Sequence, residues 1–490
     1  MPANLEPIVQ HLRQEFESLL AYVTGPEAGA QTTYTVERTL FRQLLALGAT
    51  LLRLFFVSRA AERPPAPVPA PGDPQLTYHD CRPITYYSVF GKIRFTRHYF
   101  AAPGHPGCCP LDATLSLPEH CYSDLLREWA AFGATDASYR ESQTALERIL
   151  GHQISLQALE TGVREDAEDV TAFYAQPPDP GAPVPLGPIL VVQADGKGVP
   201  QAQALAAASR ERLGKGQKRS KKKEAVVTSL YSIAPYHRTP ADVVAALMQD
   251  PRPVEPATRP RPIAKEVHAT LAGKSVALTR LQQRAAQRGG VPTQQRVALT
   301  DGAEALQEQL LAHFPAHTLV LDIIHATEYL WDAATALLGE THPERKAWVR
   351  RHLEQVVSGA TAAVIEDLEV TAQKAELTET QRKALLKTAG YYRRNQPYMH
   401  YDEYLARGWP VGTGVVEGAC GHLVKDRMEQ AAMRWTQDGA QAVLDLRSVR
   451  LNGDWDAYWQ YHREQQHQRL YGAATSAPDP AEAQVLQLVA

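Results

Sequence analysis

The sequence predicts a mixed α/β protein with a partly parallel sheet, flanked by regions that are helical or carry a β-hairpin. Three observations carry this. Apolar, β-branched runs alternate with amphipathic helical runs between 188 and 340. Two of those runs close on an Asp-Gly pair, Asp195-Gly196 and Asp301-Gly302. The stretches on either side show mainly the three- and four-residue apolar spacing of helices.

The 490 residues exceed one ordinary domain, and 44% hydrophobic with 21% charged residues suits a chain that buries a core. A net charge of −3 gives no global sign of nucleic-acid binding, so any such contact must come from local basic clusters. Five cysteines are too few and too scattered for a disulfide scaffold and suit a reducing cytoplasm. The N-terminus has no apolar signal region, and no apolar run looks long enough to cross a bilayer, so no membrane partner is expected.

In chain order, residues 1–75 read as helices followed by a stiff proline-rich linker. Residues 76–187 open with ITYYSVFGKIRFTRHYFA, a β-hairpin turning near Phe90-Gly91-Lys92. His105, Cys108, Cys109 and Cys121 follow, without the paired spacing of a zinc ribbon. Next come SYRESQTALERIL, a break at Gly151, and ISLQALETGVREDAEDV. This helix, turn, helix pattern fits DNA reading and an ordinary helical hairpin alike. Residues 188–340 hold strands ending at Asp195 and Asp301, a strand at 224–235, a helix over 265–288, and the strand-to-helix run HTLVLDIIHATEYLW. Residues 341–405 look only helical, an insertion or separate module. Residues 406–452 give a glycine-rich loop and a helix with Val416, Cys420, Leu423, Val424 and Met428 as its apolar stripe. Residues 453–490 read as a partly ordered tail.

In open α/β sheets function gathers at the carboxyl ends of strands, where Asp195 and Asp301 stand. The following glycines allow a sharp turn and close approach of a ligand. For Asp301 the plain alternative is a helix N-cap, since DGAEAL fits one. With Glu417 on its glycine-led helix, these form an acidic trio suited to phosphodiester chemistry. Two Mg²⁺ ions held by carboxylates activate the attacking oxygen and stabilise the leaving one, without a serine, cysteine or tyrosine nucleophile.

VQADGKGVP, ALTDGAEALQ, DIIHATEYLWDAA and GTGVVEGACGHLVKDRMEQAAMRW together resemble the DDE transposases of the ISKra group of bacterial insertion sequences, over about residues 85–452. The resemblance implies an RNase H-like catalytic core with an all-helical insertion and an N-terminal DNA-binding region. Asp195, Asp301 and Glu417 would hold two Mg²⁺ ions, with Mn²⁺ as a substitute. Asp322 and His325, in DIIH, match a signature that supports the site. Asp322 also rivals Asp301 as metal ligand, and His325 reads equally as a buried core histidine. Fewer N-terminal cysteines than in relatives weaken any zinc site.

The implied activity is metal-dependent strand cleavage and strand transfer at element ends. The partners would be the terminal inverted repeats and target DNA, bound by a homodimer or larger assembly in the bacterial cytoplasm, at the nucleoid when on DNA. An RNase H-like nuclease without strand transfer, and a non-catalytic transposase-derived DNA-binding protein, are the alternatives. Candidate DNA contacts are Lys215, Lys218, Arg219, Lys221, Lys222 and Lys223 in the basic run, and Lys425, Arg427 and Arg434 beyond the glutamate. A basic run is otherwise a solvated loop. Trp435 suits the core better than base stacking.

Overall fold

Serine caps, aromatic packing and alternating apolar strands build two units. The computed structural model describes residues 5–62, 75–152, 154–177, 187–202, 222–250, 258–288, 295–430 and 433–472. One unit comprises residues 1–169 and 456–490, the other 170–455.

In the first unit, helices Glu6–Thr24 and Thr33–Ala61 precede a three-stranded antiparallel sheet: β1 (Thr77–Ser88), β2 (Gly91–Ala102) and β3 (His105–Cys108). Ser88 pairs with Gly91, so the turn is Val89-Phe90. β3 was not anticipated. Phe56 of the long helix stacks on Phe95 of β2 at 4.4 Å, and Gly48 lies so near Phe90 that a Cβ there would clash. By length and composition Thr33–Ala61 could cross a membrane, contrary to the sequence expectation. Helices Asp124–Asp136, Tyr139–Leu150 and Leu156–Asp166 follow, each started by a serine. Ser123, Ser138 and Ser155 accept from Leu126 N, Glu141 N and Ala158 N, satisfying first-turn donors.

The expected tail is instead the helix Trp455–Tyr471, and only 473–490 fall outside the described residues. Trp455, Tyr458, Trp459 and His462 are buried, at helical spacing. Tyr458 Oη donates to the Asp166 carbonyl, and His462 Nδ1 lies 2.6 Å from Asp169 Oδ2. The closing helix thus completes a unit begun at the opposite end of the chain.

In the second unit β4 (Ile189–Pro200), β5 (Lys222–Ile233), β6 (Ile263–Thr270), β7 (Gln295–Thr300) and β8 (Thr318–Leu321) form one sheet of order β6-β5-β4-β7-β8. β5 is antiparallel to β4 and β6, while β7 and β8 run parallel to β4. Both faces are covered, which explains the near-continuous apolar strands. Ile189, Val191, Val297 and Leu299 pack on one face, and Leu190, Val192, Ala298 and Leu319 on the other, against Leu278, Leu281 and Leu310.

Three expectations need correction here. The first strand does not end at Asp195: it runs on to Pro200, because β5 pairs with it along its whole length. The helix expected over 265–288 begins at Lys274, and Ile263–Thr270 is a strand. Its Lys-Glu-His composition shows little strand pattern. Pairing with β5 makes it one, and Glu266 is accommodated by Arg284, Arg288 and His268. Burial alone would raise the Glu266 carboxyl, but these cations hold it far below the usual carboxylate range. The 341–405 helices are no separate module: Leu353, Val364, Leu385 and Tyr392 share one core with Val191 and Leu299.

Candidate active site

Asp195 lies within β4, and Asp301 directly follows β7. Asp195 has the parity of Ile189 and Val191, the β4 residues that share a core with Val297 and Leu299 of β7. The last parallel pair is Gln193 with Leu299. Asp195 comes two residues further along β4, and Asp301 directly follows the end of β7 at Thr300. Gly302, at φ +89, turns the chain directly after Asp301, and a Cβ there would run into Tyr391 Oη and Leu321. Tyr391 Oη donates to the Asp301 carbonyl at 3.0 Å, and Arg394 Nη2 to that of Gly302 at 2.8 Å. The Asp301 carboxylate accepts from Ala303 N at 2.9 Å and caps no helix: Ala303 occupies the cap position of Glu304–His313.

Glu417 stands on Gly414–Ala419, which continues through a π-helical turn, Cys420–Lys425, into Asp426–Met428. Such turns frequently mark functional sites. The stripe Val416, Cys420, Leu423, Val424 and Met428 is buried as anticipated. Two hydrogen bonds tie this helix to β4. Val416 N donates to Gln193 Oε1 at 2.9 Å, and Cys420 Sγ donates to Asp195 Oδ2 at 3.3 Å. Burial, with Asp195 adding to it, pushes the Cys420 thiol far up, so it stays protonated and is a donor rather than a nucleophile.

Gln193 is fully buried and joins three segments. It accepts from Ser229 Oγ at 3.1 Å and donates to Tyr231 Oη at 3.2 Å and to the Gly412 carbonyl at 3.5 Å. Sequence reasoning missed it, although a lone amide in ILVVQA was the signal.

Asp322 and His325 lie beside Glu417, with ligand atoms of all three within 4.8 Å of one another. Asp322 is completely buried and heavily engaged. Its Oδ1 accepts from Ile324 N at 2.7 Å, and its Oδ2 from Thr413 N at 3.0 Å, from Thr413 Oγ1, and faces His325 Nδ1 at 3.4 Å. It caps the helix Ile323–Leu338. Burial would raise its carboxyl, but these hydrogen bonds hold it below its ordinary value. An acceptor so fully used is better fitted to anchoring the site than to ligating an ion. His325 is half-buried. The Asp322 carboxylate outweighs burial, with Glu328 and Asp301 adding, and the pKa rises to about 9, so the imidazolium is charged at neutral pH. The hydroxyl of Thr413 reaches Asp322 and also Glu417 Oε1 at 2.5 Å, linking anchor to glutamate. Nothing in the sequence singled out Thr413.

The basic candidates divide. Lys215, Lys218, Arg219 and Lys221 lie outside the described residues. Lys222 opens β5 and its ammonium meets Glu429 at 2.5 Å, while Lys223 is half-buried. Lys425 and Arg434 are exposed. Arg427 is not a surface cation: it is fully buried, its guanidinium 4.7 Å over the Trp435 ring and Nη1 3.1 Å from Met433 Sδ. The helix register that puts Val424 and Met428 inside carries Arg427 with them. Trp435 is a core residue whose Nε1 donates to the Met428 carbonyl at 3.1 Å. The five cysteines are free thiols, and burial pushes those of Cys108 and Cys109 up.

The donor set of Asp195, Asp301 and Glu417 is all carboxylate oxygen, matching hard divalent cations such as Mg²⁺. Asp195 and Asp301 are half-buried and Glu417 is exposed, so the three remain approachable, unlike Asp322.

No family model matches the chain. It is similar to the "UPF0236 protein in vanSb 3'region" of Streptococcus gallolyticus, 20% identical over 401 residues that cover 78% of this chain and 75% of that protein.

Proposed function

We propose that the chain is a transposase with an RNase H-like core, cleaving DNA strands at the ends of a mobile element and joining them to a target. One observation carries this reading: Asp195 lies on β4 and Asp301 directly past the end of its parallel neighbour β7, and the Glu417 helix is bonded to β4 through Gln193 and Cys420. The strand order, with one central strand reversed between its neighbours, supports the RNase H-like core. The distant likeness to a UPF0236 protein supports a transposase-like family in general terms, and the ISKra grouping is part of the proposal.

Asp195, Asp301 and Glu417 would hold the divalent ions. Bound there, Mg²⁺ would supply charge stabilisation and an activated oxygen for phosphoryl transfer. Thr413 and Gln193 position Glu417 by fixing the turn and helix that bear it. The His325 imidazolium offsets the repulsion among the surrounding carboxylates. Lys425 and Arg434, exposed near the glutamate in sequence, are available to phosphates.

Asp195→Ala, Asp301→Ala and Glu417→Ala should each abolish Mg²⁺-dependent cleavage of DNA carrying the element ends, with affinity for that DNA retained. Cleavage surviving in any variant removes that residue from the site. Labelled end fragments should be joined to target DNA by the unaltered protein. Cleaved ends without joined products would favour a nuclease.

A further inference from the structure

We infer that Lys197, two residues beyond Asp195 on the same strand face, holds a backbone phosphate of the DNA strand being cut. The inference rests on the transposase reading and adds a residue to its site.

The strand carries the lysine there. β4 does not stop at Asp195 but runs to Pro200, paired throughout with β5. Alternation along β4 puts Asp195, Lys197 and Val199 on one face. The register sets Val227, Ala225 and Lys223 of β5 opposite them, on that same face. Val199, Ala225 and Val227 are fully buried and Lys197 is half-buried. Its stem therefore has apolar neighbours to lie along, as long cationic side chains do. Residues two apart on a strand are separated by about 7 Å. DNA held at the Asp195 carboxylate thus comes within reach of the lysine.

The protein leaves this charge unanswered. Among the described residues neither Lys197 nor Lys223 has an ion-pair partner, whereas Lys222 meets Glu429 at 2.5 Å and Lys274 meets Glu224 at 2.6 Å. Glu224 lies across Gly196 on the opposite face. Lys222 holds the Glu429 carboxyl below its ordinary value, with Lys197 and Lys425 adding, but the bond goes to Lys222. Lys197 and Lys223 are diagonal neighbours of like charge, an arrangement that is unfavourable until an anion answers it. The helix above sets the Cys420 thiol on Asp195, and Lys197 draws that thiol down against burial. The free cation therefore stands beside the carboxylates. Divalent ions held there would answer the phosphate at the reacting bond. The adjoining phosphate of the same strand has no such ion, and the Lys197 ammonium supplies the charge it needs.

The test is Lys197→Met, which keeps an apolar stem and removes the charge, set beside Lys197→Arg and Lys274→Met. Each full chain is titrated with a labelled duplex carrying the element end over a range of salt, and Mg²⁺-dependent cleavage of the bound duplex is timed. Losing one phosphate contact in Lys197→Met should lower the slope of log affinity against log salt by about 1. It should also slow cleavage about tenfold, since the strand is held less firmly over the ions. The Mg²⁺ concentration for half the maximal rate should stay the same, because no ion ligand is lost. Lys197→Arg should restore slope and rate, and Lys274→Met, paired on the opposite face, should leave both as they are. An unchanged slope in Lys197→Met, or an equal change in Lys274→Met, would overturn the inference while the carboxylate site stands. Failure of the unaltered chain to cut the duplex would instead remove the function on which it rests.

Discussion

Gln193 shows how one side chain holds a site together without reacting. Its carbonyl oxygen accepts from Ser229 and Val416, and its amide nitrogen reaches Tyr231 and Gly412. Truncating it leaves two donors and two acceptors unmatched, each costing about 1–3 kcal/mol where buried. Gln193→Ala should therefore destabilise the protein by roughly 2–4 kcal/mol in urea unfolding. It should also depress cleavage more than DNA binding, because the Glu417 helix loses its tie to β4. Equal loss of both would assign Gln193 to stability alone. The strand bearing Asp195 and the strand end before Asp301 were legible in the sequence because an apolar run that meets an acid and a glycine is locally conspicuous. Thr413 and Cys420 were not legible as site residues, since their partners are 91 and 225 positions away. Arg427 was misread for the converse reason: a cation beside a site looks like a phosphate ligand until the helix register places it indoors.

At the scale of elements, the edge of the sheet is sealed by a helix. Asn452, at the end of Gln437–Asn452, accepts from Val267 N at 2.8 Å and donates to its carbonyl at 3.2 Å. Gln441 accepts from Leu271 N at 2.7 Å and donates to the Ala269 carbonyl at 3.2 Å. These amides occupy backbone groups on β6 that would otherwise template pairing with another chain. Between them Asp445 is buried. Burial pushes its pKa up to about 7, against the pull of Arg280 at 3.8 Å and of Gln441. A carboxyl raised on folding contributes fully below its unfolded value, about 4. That contribution is lost as the pH climbs to about 7 and the buried group ionises. Asp445→Asn should then raise the urea midpoint at pH 8 and change it little at pH 4. A lower midpoint at pH 8 would show that the ion pair with Arg280 prevails. The 263–270 strand that this helix covers was misread as helical because its stability comes from neighbours rather than from its own pattern.

For the molecule as a whole, the α/β centre was legible because apolar runs and helical spacing alternate there. The closing helix was missed because its signal, Trp455, Tyr458, Trp459 and His462, is brief and followed by low-complexity sequence. His462 makes that helix answer to pH. Burial lowers its pKa, but Asp166 and Asp169 reverse this and bring it to about 9. A histidine raised on folding stabilises fully below its unfolded pKa near 6.5, and the contribution fades as pH rises through about 9. The melting temperature should fall between pH 7 and 9.5, and more steeply than in His462→Asn. Parallel profiles would exclude this residue as the cause.

The same helix sets an order of events during synthesis. Residues 1–169 are made before their partners, yet Asp166, Asp169 and the Leu117 carbonyl meet Tyr458, His462, Arg469 and Tyr471 only once the chain has grown as far as those residues. A nascent chain halted before Trp455 would leave Asp166, Asp169 and the Leu117 carbonyl without these partners.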